Sequence, residues 1–311
     1  MTSPKPVVIA ISVVAVAGAI AFFLAGARPP LPPQVVVEPA ADGGLGTFCA
    51  SEFTPIEGEG CFASPPSPAA PVPLLVYLHG RYSPKTLDEE LVRQSRVARL
   101  GNAKGFAVLA MRGVQGECTQ EELADTWCWP SNPRNEHDGP AFFERLKPAM
   151  AAARGRIGAG PNVLLGFSNG AYFATLIATR ALGPFDAIAI AHGGPVQPTH
   201  ALGTSPPLLL LTADDDPSDG EMRQLDAELT RERWAHELVA REGAHALLDW
   251  DVDISLTFFL RAQKEHLPLS PPLQPPHVRV VTSESGAGTG GEEADESEGG
   301  EEEADDDGSG T

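Results

Sequence analysis

The chain has 311 residues, with 42 acidic against 22 basic side chains and a formal net charge of −20. That balance argues against a nucleic-acid partner. Much of the charge sits in residues 283–311, which hold 12 acidic residues and no basic or aromatic one; without them 30 acidic residues face 22 basic ones and the charge is −8.

Residues 7–27 form an uncharged, largely apolar run between Lys5 and Arg28. It is long enough to cross a bilayer as a helix, and Leu24-Ala25-Gly26-Ala27 offers a small-residue cleavage site. Residues 1–27 are therefore expected to be a signal peptide or an N-terminal membrane anchor. In either case the body is exported, as an anchored protein or, after cleavage near Ala27, a secreted or periplasmic one. Residues 28–45, rich in Pro, Ala and Gly, read as a linker, and residues 46–270 as a single α/β domain. From residue 271 a Pro-rich segment leads into the acidic tail, residues 283–311, which cannot bury enough apolar surface to offset ordering entropy and reads as disordered. Four cysteines in an exported chain predict two disulfides. Each of the pairs Cys49–Cys61 and Cys118–Cys128 brackets a short polar loop, which makes local pairing the expected connectivity. No C-x-x-C pair or Cys/His cluster suggests a metal site.

Within the body, residues 47–62 could hold one or two short strands. Residues 72–79 (Val-Pro-Leu-Leu-Val-Tyr-Leu-His) are a continuous apolar run, as expected of a strand buried on both faces of a parallel sheet. A helix is predicted over 86–100 and a second buried strand over 106–111. A polar excursion with Cys118, Trp127, Cys128 and Trp129 precedes a helix over 139–153. A strand over 162–166 and a helix over 169–181 come next, then strands over 186–192 and 207–212. A helix over 218–230, a strand over 237–241 and a helix over 247–262 complete the pattern. This alternation predicts a mostly parallel central sheet covered by helices on both faces, with reactive groups gathered at the carboxyl ends of its strands.

Gly166-Phe167-Ser168-Asn169-Gly170 places a serine between two glycines where a strand meets a helix, the pattern of a nucleophile elbow. Serine needs a base oriented by a third group. In the chain order Ser…Asp…His, the acid follows a later strand and the histidine follows the last one. Asp214-Asp215-Asp216 follow the 207–212 strand, and His245 follows the final strand. Asp216, the farthest round the loop and stiffened by Pro217, is favoured as the acid, with Asp214 its main rival. His192 ends the wrong strand for the base and reads as structural or pocket-lining. The backbone N–H groups of Asn169, after the serine, and of Arg81, in the His79-Gly80-Arg81 loop, are the expected oxyanion donors. Trp127, Trp129 and Phe142 either line a binding surface or belong to the core.

On Leu78-His79-Gly80, Gly166-Phe167-Ser168-Asn169-Gly170, Asp216 and Gly243-Ala244-His245, the chain resembles the α/β-hydrolase superfamily over nearly all of residues 70–262. Ser-Asn-Gly at the elbow and Thr126-Trp127-Cys128-Trp129 make it most similar to the polyhydroxybutyrate depolymerase and feruloyl-esterase-like group, with dienelactone hydrolase-like enzymes alongside. It departs from them at Thr212-Ala213, where these enzymes often have His-Gly, so the acid stays open among the three aspartates. The resemblance implies a serine esterase acting on a small-molecule or polymeric ester through an acyl-enzyme, with no metal or organic cofactor. A serine peptidase on the same fold and a non-catalytic, surface-anchored binding protein are the alternative readings.

Overall fold

The computed structural model describes residues 48–66, 71–118, 120, 123–131, 136–194, 205–264 and 280–281. The expected anchor, the linker and the acidic run of the tail lie outside the described residues. Among the described residues, no helix is long and apolar enough to cross a membrane.

Nine strands form one sheet in the order β1 (Thr54–Ile56), β2 (Gly60–Ala63), β4 (Ala107–Met111), β3 (Leu74–Leu78), β7 (Asn162–Phe167), β8 (Ala187–Ala191), β9 (Leu208–Ala213), β10 (His236–Arg241) and β11 (Val280–Val281). The strands from β4 to β10 are mutually parallel, while β1, β2 and β11 add antiparallel edges. This layout, with β3 and β4 exchanged relative to chain order, is the α/β-hydrolase fold expected from the sequence.

The central strands are apolar at every position because both faces are covered. Along β3, Leu74, Val76 and Leu78 join the core with Leu146, Phe173 and Leu225 of α2 (Gly139–Ile157), α3 (Asn169–Thr179) and α4 (Asp219–Arg231). The alternate residues Leu75 and Tyr77 face Val97, Val252 and Phe259 of α1 (Leu87–Ala103) and α5 (Asp249–Gln263). Trp129 and Phe142 belong to the first of these cores, whereas Trp127 is only partly buried, stacked on Tyr82 at 5.1 Å.

Three elements differ from the sequence reading. Helix α2 runs on to Ile157 and stops at Gly158, whose φ of 79° suits glycine, while Arg154 donates to the carbonyls of Val72 and Gly158. The excursion contains a hairpin, β5 (Val114–Gln115) with β6 (Trp127–Cys128), too short for a period-2 pattern to register. The last edge strand, β11, lies beyond residue 270, where a β-branched pair among prolines docks on β10. Both expected disulfides are formed: Cys49–Cys61 ties the N-terminal segment to β2, and Cys118–Cys128 closes the excursion.

Register carries the site. Leu78 pairs with Met111 and Gly166, Phe167 with Ala191, Ala191 with Leu211, and Ala213 with Arg241. The residues just past these positions therefore emerge along one edge of the sheet.

Beneath that edge, Glu90 of α1 is fully buried and pairs with Arg93 at 2.9 Å. The Arg93 guanidinium lies 5.6 Å from the Phe167 ring centroid, beside the elbow. Burial raises the Glu90 carboxyl to about 7, although Arg93 pulls the other way. A carboxyl raised on folding contributes stability below its unfolded value that is lost as pH climbs through its folded one. The gap amounts to about 3 kcal/mol. Glu90→Gln should therefore gain stability relative to the parent protein between pH 5 and pH 8; thermal melts at the two values that differ by the same amount would contradict this.

Candidate active site

The β7–α3 turn holds Ser168 at φ 53°, ψ −120°, a left-handed conformation that a non-glycine residue adopts only under constraint. The constraint is visible. The Ser168 N–H donates to Ala191 O at 2.9 Å, and its carbonyl accepts from Ala171 N–H at 2.9 Å. A Cβ at Gly166 would strike the Gly170 backbone, and one at Gly170 would strike the carbonyls of Leu78 and His79. Both glycines are dictated by close approach of backbone to backbone.

The structure brings Ser168, His245 and Asp216 into one hydrogen-bonded chain. Ser168 Oγ lies 2.8 Å from His245 Nε2, and His245 Nδ1 lies 3.0 Å from each oxygen of Asp216. Ser168 is half-buried and His245 exposed, while Asp216 is buried. Of the three adjacent aspartates only Asp216 meets the imidazole; Asp214 faces Arg223 at 3.6 Å, and Asp215 is exposed. Backbone lacing explains the selection. The N–H groups of Asp214 and Asp215 donate to the carbonyls of Arg241 and Gly243, so this loop is stitched to the one that carries His245. Asp216 then closes on itself as an Asx turn, its Oδ1 accepting from Ser218 N–H at 2.8 Å and Ser218 Oγ–H at 2.7 Å. Burial alone would raise this carboxyl, but bonds from His192, Ser218 and His245 outweigh it and hold the group well below the usual carboxylate range.

Sequence reasoning gave His192 no part in this chain. It follows β8 at φ 58° and is fully buried. Its Nδ1 lies 2.7 Å from Asp216 Oδ2, and its Nε2 lies 3.3 Å from Arg241 Nη2 and 3.5 Å from Asp251 Oδ1. Burial lowers the affinity of this imidazole for a second proton, but Asp216 and Asp251 more than compensate and draw it upward. Asp251 in turn binds Arg241 at 2.9 Å, and its carboxyl is held low against burial by His192 and Arg241. Arg241 also donates to the carbonyls of Glu242 and Ala246, which braces the loop bearing His245. Among the described residues, the cluster whose atoms could ligate a metal is His192, Asp216 and His245. Those atoms are already committed to one another through N–H···O bonds.

On the other side of Ser168, His79 is fully buried. Its Nε2 accepts from Gly113 N–H at 2.8 Å, so Nδ1 carries the proton and donates to Gly80 O. Burial pushes His79 down to about 3, and the ring stays neutral. A trans peptide directs its N–H opposite its C=O. Drawing Gly80 O onto the imidazole therefore turns the Arg81 N–H away from it. Gly80 abuts the elbow, since a Cβ there would sit 3.1 Å from Ser168 Cβ. Trp129 pins the same loop, its indole N–H donating to His79 O at 3.0 Å. The Asn169 side chain accepts from Trp129 N–H at 2.7 Å, which ties the elbow to the excursion. Asn169 opens α3, so its own N–H belongs to the set that a helix leaves without an internal partner.

No family model matches the chain, and no curated protein matches it. Solved structures do resemble it. A carboxylesterase from Bacillus cereus is 17% identical, covering 65% of this chain and 93% of its own at a TM-score of 0.48. A carboxylesterase from Mesorhizobium loti is 22% identical over 60% of this chain and 88% of its own, with a TM-score of 0.45. The S-formylglutathione hydrolase of Staphylococcus aureus is 15% identical over 63% of this chain and 84% of its own, with a TM-score of 0.44. At these scores the likeness carries no argument about activity, which rests on the atoms of this chain.

The elbow packing is directly testable. Gly170→Ala should destabilise the protein by about 2 kcal/mol or more, because the carbonyls it meets belong to β3 and its following loop and cannot retreat. An unchanged denaturant midpoint would contradict the packing.

Proposed function

We propose that this chain is an exported serine hydrolase that cleaves carboxylic esters through an acyl-enzyme. The observation that carries the reading is the continuous chain Ser168 Oγ–His245 Nε2, His245 Nδ1–Asp216, mounted on a strained strand-to-helix turn at the carboxyl edge of the sheet. In it, Ser168 Oγ attacks the ester carbonyl while its proton passes to His245 Nε2. The carbonyl π pair moves onto oxygen, and the resulting oxyanion is met by the N–H groups of Asn169 and Arg81. Asp216 fixes the imidazole with Nδ1 protonated and stabilises the imidazolium. Collapse of the tetrahedral intermediate breaks the ester C–O bond, and the alcohol leaves with the proton from Nε2. Water then repeats the sequence on the acyl-enzyme, yielding the acid and free Ser168.

Two disulfides suit an oxidising compartment. They support the export inferred from the N-terminal apolar run, and a mature protein beginning at Arg28 would mark that run as a cleaved signal. Trp129, at the end of the excursion, is bonded to both His79 O and Asn169 beside the proposed oxyanion loop, and this part of the chain is where an acyl or alcohol group would be selected.

Ser168→Ala should lower p-nitrophenyl acetate turnover by at least about 10³-fold and abolish labelling by a fluorophosphonate probe. Full activity in this variant would refute the assignment. His79→Phe removes the bond that turns the Arg81 N–H, so kcat should fall roughly 10²-fold with KM little altered. A loss confined to KM would place His79 outside oxyanion stabilisation.

A further inference from the structure

Asp216 carries two imidazoles, not one. His245 approaches from the solvent side and His192 from the interior, their ring centroids 5.9 Å apart in an edge-on arrangement. We propose that His192 is a positioning residue of the hydrolytic machinery, which holds Asp216 through its Nδ1–H so that the carboxylate presents a fixed orientation and a shared charge to His245.

Four features carry this. The His192 Nδ1–Asp216 Oδ2 separation of 2.7 Å is shorter than either His245 Nδ1 contact. An ionised carboxylate only accepts, so the proton on this bond belongs to His192 in either charge state of the ring. The residue is held at φ 58°, a backbone state disfavoured for any side chain, while its imidazole is fully buried. Finally, the ring's far nitrogen abuts the Asp251–Arg241 pair, and Arg241 clasps the 242–246 loop. One buried relay thus joins the carboxylate to the loop on which the proposed base rides. The charged and titratable groups facing His192 are Asp216 from the β9–α4 loop, Asp251 from α5, Arg241 from β10 and His245 from the loop after it; β7 presents only the Phe167 ring, 6.0 Å away.

The consequence concerns how strongly Asp216 attracts the His245 imidazolium. A carboxylate that also serves His192 offers His245 only part of its charge. Removing the inner donor leaves the whole charge to His245, makes its proton harder to lose and frees the carboxylate to rotate.

The test compares His192→Leu, which deletes the donor, with His192→Asn, whose amide N–H can replace Nδ1–H, using the full chain and p-nitrophenyl acetate. In the leucine variant the acid limb of the kcat/KM–pH profile should move up by about one pH unit, and kcat should fall roughly 10- to 100-fold. The asparagine variant should restore the limb and most of kcat. A residue that merely fills space would lower the melting temperature in both variants and leave the limb where it was, and a folded leucine variant with the wild-type limb overturns the proposal. The kinetic arm rests on the ester-hydrolase reading, which a wild-type protein inert to esters and to fluorophosphonate would refute separately. A second arm needs neither turnover nor a variant. Histidine-selective ¹⁵N NMR of the wild-type protein should show an Nδ1–H proton on both His192 and His245, beside that of His79. A His192 ring protonated only at Nε2 overturns the proposal whatever the activity.

Discussion

The arrangement depends on one buried negative charge. Taking a carboxylate out of water is costly unless its lone pairs are met by donors, and Asp216 meets that condition with four. They come from His245, His192 and the backbone and hydroxyl of Ser218. Each donor sits on a segment leaving the same edge of the sheet, so satisfying this one group fixes the relative positions of the β8, β9 and β10 exits. The loops are irregular in outline yet determined in place, because a displacement of any of them would strand a charge.

A second set of constraints works on the opposite flank of Ser168 and is almost entirely neutral. The His79 imidazole, the Trp129 indole and the Asn169 amide knit the loop after β3, the excursion and the start of α3 together through backbone carbonyls and N–H groups. Aromatic packing supports them, with Trp129 stacked on Phe173 at 5.6 Å and His79 5.0 Å from Trp129. The Cys118–Cys128 bridge adds a covalent tie one residue before Trp129. Ser168 stands between a charged flank and a neutral one, which in the proposed reaction would orient protons and dipoles respectively.

The fold was legible because it rests on local patterns. Uniformly apolar runs such as 208–211 and periodic stretches such as α1 name their own secondary structure, and their alternation allows few topologies. That Ser168, Asp216 and His245 meet was legible because each follows a strand in a required order. His192 was not. It also ends a strand, but its partners Asp216 and Asp251 are 24 and 59 residues away, and no spacing rule links such positions. Only the left-handed kink after β8 aims its ring at Asp216. The β5–β6 hairpin escaped notice for a different reason, since two-residue strands give no periodicity to read, and the depth of Trp129 depended on knowing which face that hairpin covers.

Among the groups that flank Ser168, His79 is the one whose chemistry has been switched off. With its proton affinity so depressed by burial, the imidazole serves as a rigid strut that donates from Nδ1 and accepts at Nε2. The neutral flank therefore keeps one shape across the range in which ordinary histidines change charge. In the proposed reaction, a change of pH would act on the Asp216 side and leave the His79 side as it is, so catching a substrate oxygen and moving its protons would be separate tasks.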